Sequence, residues 1–480
     1  MSCLNHCKRS VGGLLACMGL WLAAAFLPVD ASASPPAPQR PNILLVIADD
    51  WGWGHAGVLG DPAVKTPNFD RVAREGVLFQ HAYCAAPTCT ASRASLLTGQ
   101  PFYRLKEAAH LHGPLDKNFP VYPDLLEDAG YAVGLSGKGL GPGDFRAGGR
   151  SRNPAGPMVK DFTSFLAGLP AEKPFCFWFG SHNPHRPFDQ RRLAGTIDPA
   201  TVSLPPFLPD VPEVRGDLAD YFAEVQAFDQ ELGGLLAALE KAGRLDNTLI
   251  VVTSDNGMPF PRAKCNLYAS GTRMPLAVRW GARVKPGRVV EDMVSLCDLA
   301  PTFLAVAGVS APAGMTGRSL LGILESDKDG VLEAARDHVV VGRERHGGNY
   351  PCRALHTRDF LYIRNYKPEL SPAAADAGPA KEYLEEHEAD PAVAKCWAAY
   401  AGTRPAEELY DNRKDPGQLM NVAADPHYAA VREKLARQLD AELEQTGDPR
   451  ATGHGDVFDS YPDRSPRHAN PRPQASSKLP

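Results

Sequence analysis

The chain has 480 residues, of which 44% are hydrophobic and 22% are charged. These values are typical of globular proteins and exclude a fully disordered, fibrous or coiled-coil chain. The length allows two or three domains, or one large domain with an appendage. Lys and Arg number 51 against 56 Asp and Glu, which gives a formal charge of -5. No long basic stretch is present to meet a phosphate backbone, so we expect no nucleic-acid partner.

The N-terminal segment has the features of a signal peptide in the expected order. Lys8 and Arg9 precede an apolar run over residues 11–27, and the small residues 31–33 (ASA) follow as a cleavage site. Positive charge, apolar run and small-residue triplet are the three parts that the export machinery reads. The sequence therefore predicts that residues 1–33 are a signal peptide and that the mature chain is exported.

Two alternatives exist for this segment. An apolar run of about 17 residues is at the short edge of a membrane span. Cys17 ends a lipoprotein-like LLAC sequence, but cleavage there would leave most of the apolar run on the mature chain. We therefore expect no stable membrane anchor, and a periplasmic or extracellular location, or a lysosome-like compartment in a eukaryote. Residues 34–40 then form a short Pro/Ala linker.

Cysteine usage adds a constraint on the mature chain. Three of the ten cysteines would leave with the signal peptide, and the remaining seven are too sparse for a disulfide scaffold. An odd number in an oxidising compartment indicates a free, reactive or modified thiol. None of the seven has zinc-site spacing. They are Cys84, Cys89, Cys176, Cys265, Cys297, Cys352 and Cys396.

Strand and helix patterns alternate over the first part of the mature chain, which predicts an α/β fold with a large, mostly parallel sheet. Continuous apolar runs predict buried strands at residues 42–48, 131–136, 175–179 and 248–253. Helical periodicity predicts helices at residues 68–75, 122–129 and 217–242.

The pattern changes after about residue 335. Short strand-like stretches and a closing amphipathic helix predict a smaller C-terminal α+β domain over residues 336–450, after a catalytic domain over residues 41–335. Residues 371–379 (SPAAADAGP) are predicted to be a loop. The tail over residues 451–480 is rich in Pro, Arg, Ser and Asp, which predicts disorder.

Oxygen-bearing side chains follow two of the predicted buried strands. Asp49 and Asp50 come after one strand, and Asp255 and Asn256 after another. Open α/β sheets bind ligands at the carboxyl ends of their strands. Three carboxylates and an amide suit a hard divalent cation, Ca²⁺ or alternatively Mg²⁺, rather than zinc. Each pair taken alone would be read as a turn or a helix cap.

The sequence CTASR at residues 89–93 precedes a helix-like run, which places Cys89 at a helix N-terminus. This segment resembles the signature of the sulfatase family, in which a Cys is followed by Pro or Ala two residues later and by Arg four residues later. Cys89, Ala91 and Arg93 fit that pattern. The resemblance implies that a formylglycine-generating enzyme oxidises Cys89 to formylglycine, whose hydrated aldehyde is the nucleophile. The alternative is that Cys89 is a buried structural cysteine or is paired in a disulfide with Cys84.

The resemblance extends over about residues 41–445 and implies an alkaline-phosphatase-like fold, with the large sheet sandwiched by helices. It assigns the metal-ligand role to the four oxygen-bearing residues named above. It also implies that Lys138 and Lys264 bind the sulfate group and that His185 faces the substrate. Without the resemblance, each of these three would be read as a surface or core residue.

Within the family, several segments resemble the heparan N-sulfatase branch more than the arylsulfatases. They are residues 254–261, 266–268, 350–353 and 408–411. This likeness implies a sulfated saccharide substrate, with the N-sulfate of glucosamine in heparan-type glycans as the bond that is cleaved.

One position departs from the family pattern, which has Lys, any residue, then His. Here Lys138 is followed by Gly139 and Leu140, so the imidazole that helps sulfate leave is missing. His182 or His112 could replace it, or sulfate elimination is slower. We expect Leu140→His to speed that step if the ring finds room.

The resemblance implies a mechanism and leaves two alternatives. The cation and Arg93 would hold a hydroxyl at residue 89 near its ionised form, with Asp255 accepting the proton. The two lysines would stabilise the transition state, and His185 would protonate the leaving atom. An O-sulfatase could use the same groups. A non-catalytic protein that binds sulfated glycans is the second alternative, although the complete set of site residues argues against it. Oligomeric state is left open.

Overall fold

The computed structural model describes residues 40–189 and 195–465. All of these residues belong to one compact unit, Gln39–Pro480. The predicted signal peptide and almost all of the predicted linker lie outside the described residues. Within the described ranges, no helix is both long enough and apolar enough to cross a membrane.

A mixed, mostly parallel sheet forms the centre of the fold. Its eight strands are β1 (Asn42–Ala48), β2 (Val77–Tyr83), β3 (Ala132–Gly137), β4 (Phe175–Gly180), β5 (Thr248–Ser254), β6 (Arg273–Met274), β7 (Leu276–Arg279) and β8 (Arg288–Ser295). The strand order is β3-β4-β1-β5-β7-β2, and both β6 and β8 pair with β2. Strands β3, β4, β1 and β5 are parallel neighbours, so their carboxyl ends meet at one edge of the sheet.

Helices lie between the strands of the large sheet in the chain and cover it, and further helices lie in the C-terminal part of the chain. In chain order they are α1 (Pro67–Arg74), α2 (Cys89–Thr98), α3 (Tyr122–Asp128), α4 (Phe162–Ala167), α5 (Pro212–Lys241), α6 (Ala269–Thr272), α7 (Leu299–Val306), α8 (Leu321–Leu324), α9 (Pro379–Glu386), α10 (Ala394–Ala401), α11 (Ala429–Thr446) and α12 (Asp456–Ser460). Short 3-10 turns add to these helices, for example Phe102–Arg104 and Lys106–Ala109.

Strand β1 shows how the core is built, because all seven of its residues are buried and they alternate between two hydrophobic clusters. Ile43 and Leu45 pack into the cluster that contains α2, α3 and α7. Leu44 and Val46 pack into the cluster that contains α1, α4 and α5. Helices therefore lie on both faces of the sheet, as the α/β prediction requires.

A separate small antiparallel sheet follows in the chain. Its strands are β9 (His338–His346), β10 (Gly348–Thr357), β11 (Phe360–Asn365) and β12 (Glu407–Asp411), in the order β12-β11-β10-β9. Helix α11 packs against β10 and β11. The predicted fold class is confirmed, while the boundary between two domains near residue 335 stays a prediction.

The first part of the C-terminal tail is ordered, which corrects the prediction of disorder from residue 451. Helix α12 lies there, and Phe458 is buried with a hydrophobic cluster that includes Phe102 and Leu443. A few apolar side chains at the right positions are enough to hold the segment, and average composition does not reveal them. Residues 466–480 lie outside the described residues.

Candidate active site

The acidic residues of the site follow β1 and β5, which are paired in parallel with Ala48 opposite Ser254. Asp49 and Asp50 come directly after Ala48, and Asp255 comes directly after Ser254. The backbone of Asp50 has a φ of 75°, a left-handed conformation that is uncommon outside glycine. This turn directs the two neighbouring aspartates into one buried cluster with Asp255.

Hydrogen bonds hold the acidic cluster in place, and one side-chain oxygen beside it is left without a hydrogen-bond partner among the described residues. Asn256 Nδ2 donates to Asp50 Oδ1 at 2.7 Å, and the Asp50 backbone N–H donates to Asp255 Oδ1 at 3.1 Å. Asn256 Oδ1 is buried and has no hydrogen-bond partner among the described residues. A buried amide oxygen beside three carboxylates matches the oxygen ligands of Ca²⁺ or Mg²⁺. The four predicted ligands therefore fit a divalent cation.

Cys89 is the first residue of α2, and Thr88 precedes the helix in an extended conformation. The Cys89 Sγ lies 3.6 Å from Asp49 Oδ1, and the side chain is buried. Burial raises the pKa of the Cys89 thiol well above its ordinary value. An unmodified thiol would stay protonated, and it is the thiolate that acts as a nucleophile. Every cysteine in the described residues is a free thiol, so the alternative disulfide with Cys84 is absent from this part of the chain.

Arg93 lies one turn further along α2 and is fully buried. Its Nε donates to Asp255 Oδ2 at 2.7 Å, and its Nη1 donates to the backbone oxygen of Lys138 at 2.9 Å. A buried guanidinium needs such partners because an unpaired buried charge is very costly. Arg93 thus ties the helix that carries Cys89 to the ends of β5 and β3.

Lys138 follows β3 and reaches Asp49. Its Nζ donates to Asp49 Oδ2 at 2.6 Å and to Oδ1 at 2.8 Å. Burial by itself raises the pKa of Asp49, but the charges of Lys138 and Arg93 outweigh it and lower the pKa. Asp49 is therefore ionised at neutral pH.

Lys264 lies in the segment between β5 and α6 and is buried. Its Nζ is 2.7 Å from Asp50 Oδ2 and 2.8 Å from Asp376 Oδ2. Burial alone would lower the pKa of Lys264, but these carboxylates raise it well above the ordinary value, so the ammonium group stays charged. Burial raises the pKa of Asp50 even though Lys264 opposes it. The raised pKa of Asp50 indicates that one more positive charge would stabilise the acidic cluster.

His185 follows β4 and is the most accessible of the predicted site residues, with 33% of its side chain exposed. Its Nε2 lies 3.7 Å from Asp50 Oδ2 and 4.0 Å from Asp376 Oδ2. The Nδ1 atom faces the backbone oxygen of Arg186 and donates a hydrogen bond to it. Nε2 is therefore the ring atom that can exchange a proton with a ligand.

The structure brings all nine predicted site residues together. The atoms of Asp49, Cys89 and Asp255 that could bind a metal ion lie within 4.8 Å of one another. The corresponding atoms of Asp50, Cys89 and His185 are equally close. Hydrogen bonds link Arg93, Lys138, Lys264 and Asn256 to these residues.

Two residues at the site were missed by the sequence interpretation. Asp376, in the loop over residues 371–379, pairs with Lys264. His346, at the end of β9, contacts the hydroxyl of Thr88 through Nδ1 at 2.6 Å and is buried. Neither lies near a recognisable motif. Both belong to the C-terminal part of the chain and reach the site through long-range packing, which sequence patterns do not reveal.

Leu140 does not line an open position. Its side chain is fully buried in the hydrophobic cluster that also contains Leu135 and Trp178. An imidazole here would sit in apolar surroundings, which does not favour the condition set for Leu140→His, namely that the ring finds room. Of the two alternative histidines, His182 interacts electrostatically with Asp49 and Lys138, whereas His112 interacts with Asp463. His182, and not His112, is therefore the histidine near Asp49.

The chain has an alkaline-phosphatase-like fold, in which an open α/β sheet carries the acidic cluster, the helix-borne Cys and the surrounding basic residues at one edge. The sulfatase family profile matches residues 41–309, and a profile described as N-sulphoglucosamine sulphohydrolase, C-terminal, matches residues 263–367. The chain belongs to the sulfatase family and is an enzyme of the sulfatase class. This match confirms the resemblance to the sulfatase family drawn from residues 89–93.

Relatives and solved structures agree with this placement. Human N-sulphoglucosamine sulphohydrolase is 32% identical over 479 positions, which cover 85% of this chain and 91% of that protein. An ulvan-active sulfatase from Formosa agariphila is 26% identical and covers 86% of this chain and 76% of its own length.

The similar structures confirm the fold. A protein solved in complex with its substrate D-glucosamine-2-N,6-O-disulfate has a TM-score of 0.67 at 21% identity and covers 88% of this chain and 100% of its own. A phosphonate monoester hydrolase of Agrobacterium radiobacter has a TM-score of 0.63 at 20% identity, covering 85% and 97%.

Proposed function

We propose that this sulfatase hydrolyses the N-sulfate of glucosamine in heparan-type glycans, using formylglycine at residue 89 and a divalent cation, Ca²⁺ or Mg²⁺. The observation that carries the proposal is the position of Cys89 between the acidic cluster and three buried or half-buried basic groups. The reaction consumes one water molecule, breaks the S–N bond and yields sulfate and the free amine of the sugar.

Formylglycine at residue 89 would supply a hydrated aldehyde, one hydroxyl of which attacks the sulfur atom. The second hydroxyl would then collapse to the aldehyde and expel sulfate, and one water molecule would restore the hydrate. The protein must take a proton from the attacking hydroxyl and hold it beside the cluster. Asp255 is suited to accept the proton, because one of its carboxylate oxygens lies within 4.8 Å of the Cys89 Sγ. Arg93 holds Asp255 in place through the 2.7 Å contact from Nε.

Asp49, Asp50, Asp255 and Asn256 would hold the cation, which polarises the attacking oxygen and a sulfuryl oxygen when bound. Lys138 and Lys264 lie on either side of this set, each paired with one of the two neighbouring aspartates. Fixed positive groups of this kind stabilise negative charge on the sulfuryl oxygens in the transition state. The lysines also bind the sulfate group and set its orientation.

His185 is suited to protonate the leaving nitrogen. Its Nε2 faces the site and its side chain is partly exposed, so a substrate atom can approach it. The electron pair of the broken S–N bond stays on nitrogen and takes the proton from Nε2. The acid form is the ring with hydrogens on both nitrogens, because Nδ1 already donates to the backbone.

Preference for an N-sulfate is supported by the human relative and by the C-terminal profile described above. Export through the segment over residues 1–33 and maturation by a formylglycine-generating enzyme belong to the same proposal. Burial of Cys89 favours maturation before the chain has folded, since an enzyme cannot reach a side chain that is 2% exposed.

Sulfate release from N-sulfoglucosamine and from glucosamine 6-O-sulfate tests the proposal on the purified mature chain. We expect faster release from the N-sulfate, with free amine formed in equal amount. Lys138→Ala should lower turnover by roughly 100- to 1000-fold, the usual cost of removing one transition-state donor. Release from the O-sulfate alone would favour the O-sulfatase alternative. Binding of both sugars without release by formylglycine-containing protein would favour the non-catalytic alternative.

A further inference from the structure

Asp376 is a carboxylate on the accessible side of the site, and the proposed mechanism does not use it. Its Oδ2 lies 2.8 Å from Lys264 Nζ and 4.0 Å from His185 Nε2. Its side chain is 26% exposed, whereas the side chains of Asp50 and Asp255 are fully buried. Asp376 thus lies beside the acid group, where the leaving part of a substrate must be, and Lys264 lies between it and the predicted cation ligand Asp50.

The segment that carries Asp376 is held in position next to His185. Asp217 Oδ2 accepts hydrogen bonds from the Ala380 backbone N–H at 3.0 Å and from Arg186 Nη2 at 2.7 Å. Gly378 packs so closely on Arg186 that a Cβ there would lie 2.5 Å from the guanidinium carbon. Asp217 and Arg186 therefore link the end of this loop to the residue after His185, and fix the separation between Asp376 and His185.

The charge of Asp376 is unfavourable for a site that binds only sulfate. Burial alone would raise the pKa of Asp376, but Lys264 outweighs it and the pKa is lowered, so the carboxylate is ionised. A fixed negative charge repels the sulfuryl oxygens. Lys264 Nζ also contacts Asp50 Oδ2 at 2.7 Å, so Asp376 is the second carboxylate on this lysine and the more exposed of the two. The arrangement suits a substrate that presents a hydrogen-bond donor to Asp376.

We propose that Asp376 is a specificity-determining residue that selects N-sulfates over O-sulfates by accepting a hydrogen bond from the leaving nitrogen. This inference rests on the proposed function. A sulfamate nitrogen carries one hydrogen before cleavage and gains another from His185 as the S–N bond breaks. An ester oxygen carries no hydrogen until it is protonated, and its lone pairs face the carboxylate with repulsion. A carboxylate placed to accept a hydrogen bond from an N–H discriminates against an analogue that lacks this hydrogen, because the carboxylate then faces oxygen lone pairs instead of a donor.

The test compares two substrates that differ only at the cleaved bond, N-sulfoglucosamine and glucose 2-sulfate. The quantity measured is the ratio of kcat/KM for the first to kcat/KM for the second. Asp376→Asn keeps the size of the side chain and removes the charge, so we expect the ratio to fall by about 10- to 100-fold. Asp376→Glu should retain part of the preference. Glu369→Gln removes an exposed carboxylate from the preceding segment and should leave the ratio unchanged.

The possible outcomes distinguish a failure of the inference about Asp376 from a failure of the proposed function. If Asp376 only neutralises Lys264, Asp376→Asn changes both substrates by the same factor and the unchanged ratio overturns the inference, while N-sulfate hydrolysis by the unaltered enzyme still stands. If the unaltered enzyme cleaves glucose 2-sulfate and leaves N-sulfoglucosamine intact, the proposed function fails first, and the inference fails with it. Melting temperatures of the variants show that the comparison is made on folded protein.

Discussion

Lys138 contacts both carboxylate oxygens of Asp49, with Nζ 2.8 Å from Oδ1 and 2.6 Å from Oδ2. Lys264 occupies the corresponding position at Asp50. A divalent cation at this cluster would compete with the two lysines for the same oxygens. The two lysines share the negative charge of the cluster, and a bound cation would take part of that charge from them.

Removal of the divalent cation should lower both activity and stability. Crowded carboxylates repel one another unless positive charge intervenes, and a ligand bound only to the folded state stabilises it by about 2.7 kcal/mol at 100 times its Kd. We expect a chelator to lower the melting temperature and Ca²⁺ or Mg²⁺ to restore it. Asn256→Ala should lose this response, whereas Asn118→Ala, at an exposed position, should keep it. A chelator that changes neither quantity would refute the cation site.

Leu140→His should destabilise the protein without speeding turnover. Leu140 is fully buried among apolar residues, and a buried imidazole without partners costs about 2–4 kcal/mol. Leu140→Met keeps the volume and should cost less than about 1.5 kcal/mol. Thermal unfolding and kcat on the same samples check both points. An unchanged melting temperature together with faster sulfate release would show instead that the missing imidazole limits the rate.

Stability should fall as the pH drops below about 6.5, in part through His356. Burial lowers the pKa of His356 to about 3. The folded pKa is below the unfolded one, so this contribution is complete above the unfolded pKa and is lost as the pH falls. The stability lost by pH 5 amounts to about 2 kcal/mol. Urea unfolding at pH 7 and pH 5 should show a smaller loss for His356→Gln than for the unaltered chain.

His427→Gln is the matched control, because His427 is an exposed histidine. This variant should keep the full loss of stability between pH 7 and pH 5. Equal losses in His356→Gln and in the unaltered chain would contradict the assignment of this effect to His356.

Export should remove the first 33 residues. We expect N-terminal sequencing of the exported protein to begin near Ser34, because cleavage follows the small-residue triplet. Replacing Lys8 and Arg9 by Glu should reduce export by removing the positive end of the segment. A soluble cytoplasmic product that starts at Met1 would contradict the prediction.

The parts of the site that depend on local pattern could be predicted from the sequence. Strand β1 has the predicted bounds, because its apolar run has the length of a buried strand, is rich in β-branched residues and is too short for a typical helix. The acidic residues then follow from the rule that parallel strands present their carboxyl ends at one edge. Cys89 begins α2, as the helix-like run after it indicated.

Other features depend on contacts between distant parts of the chain. Asp376 reaches Lys264 across 112 positions of sequence, from a loop of Ala and Pro with no motif. The side chain of Leu140 is buried by tertiary packing that its two neighbours in sequence do not reveal. Helix α5 begins at Pro212, earlier than the predicted residue 217, because a proline suits the first helical position and extends the helix beyond its periodic part.

The identity of residue 89 in active protein tests the central claim most directly. Tryptic cleavage yields the peptide over residues 75–93, which contains both Cys84 and Cys89. After treatment with a thiol-alkylating reagent, we expect one alkyl group, on Cys84, and an aldehyde or its hydrate at residue 89. Sulfate release should rise in proportion to the aldehyde content and be absent in Cys89→Ala. Full sulfatase activity from a preparation whose peptide carries two alkyl groups would contradict the account, because such a preparation contains only cysteine at residue 89.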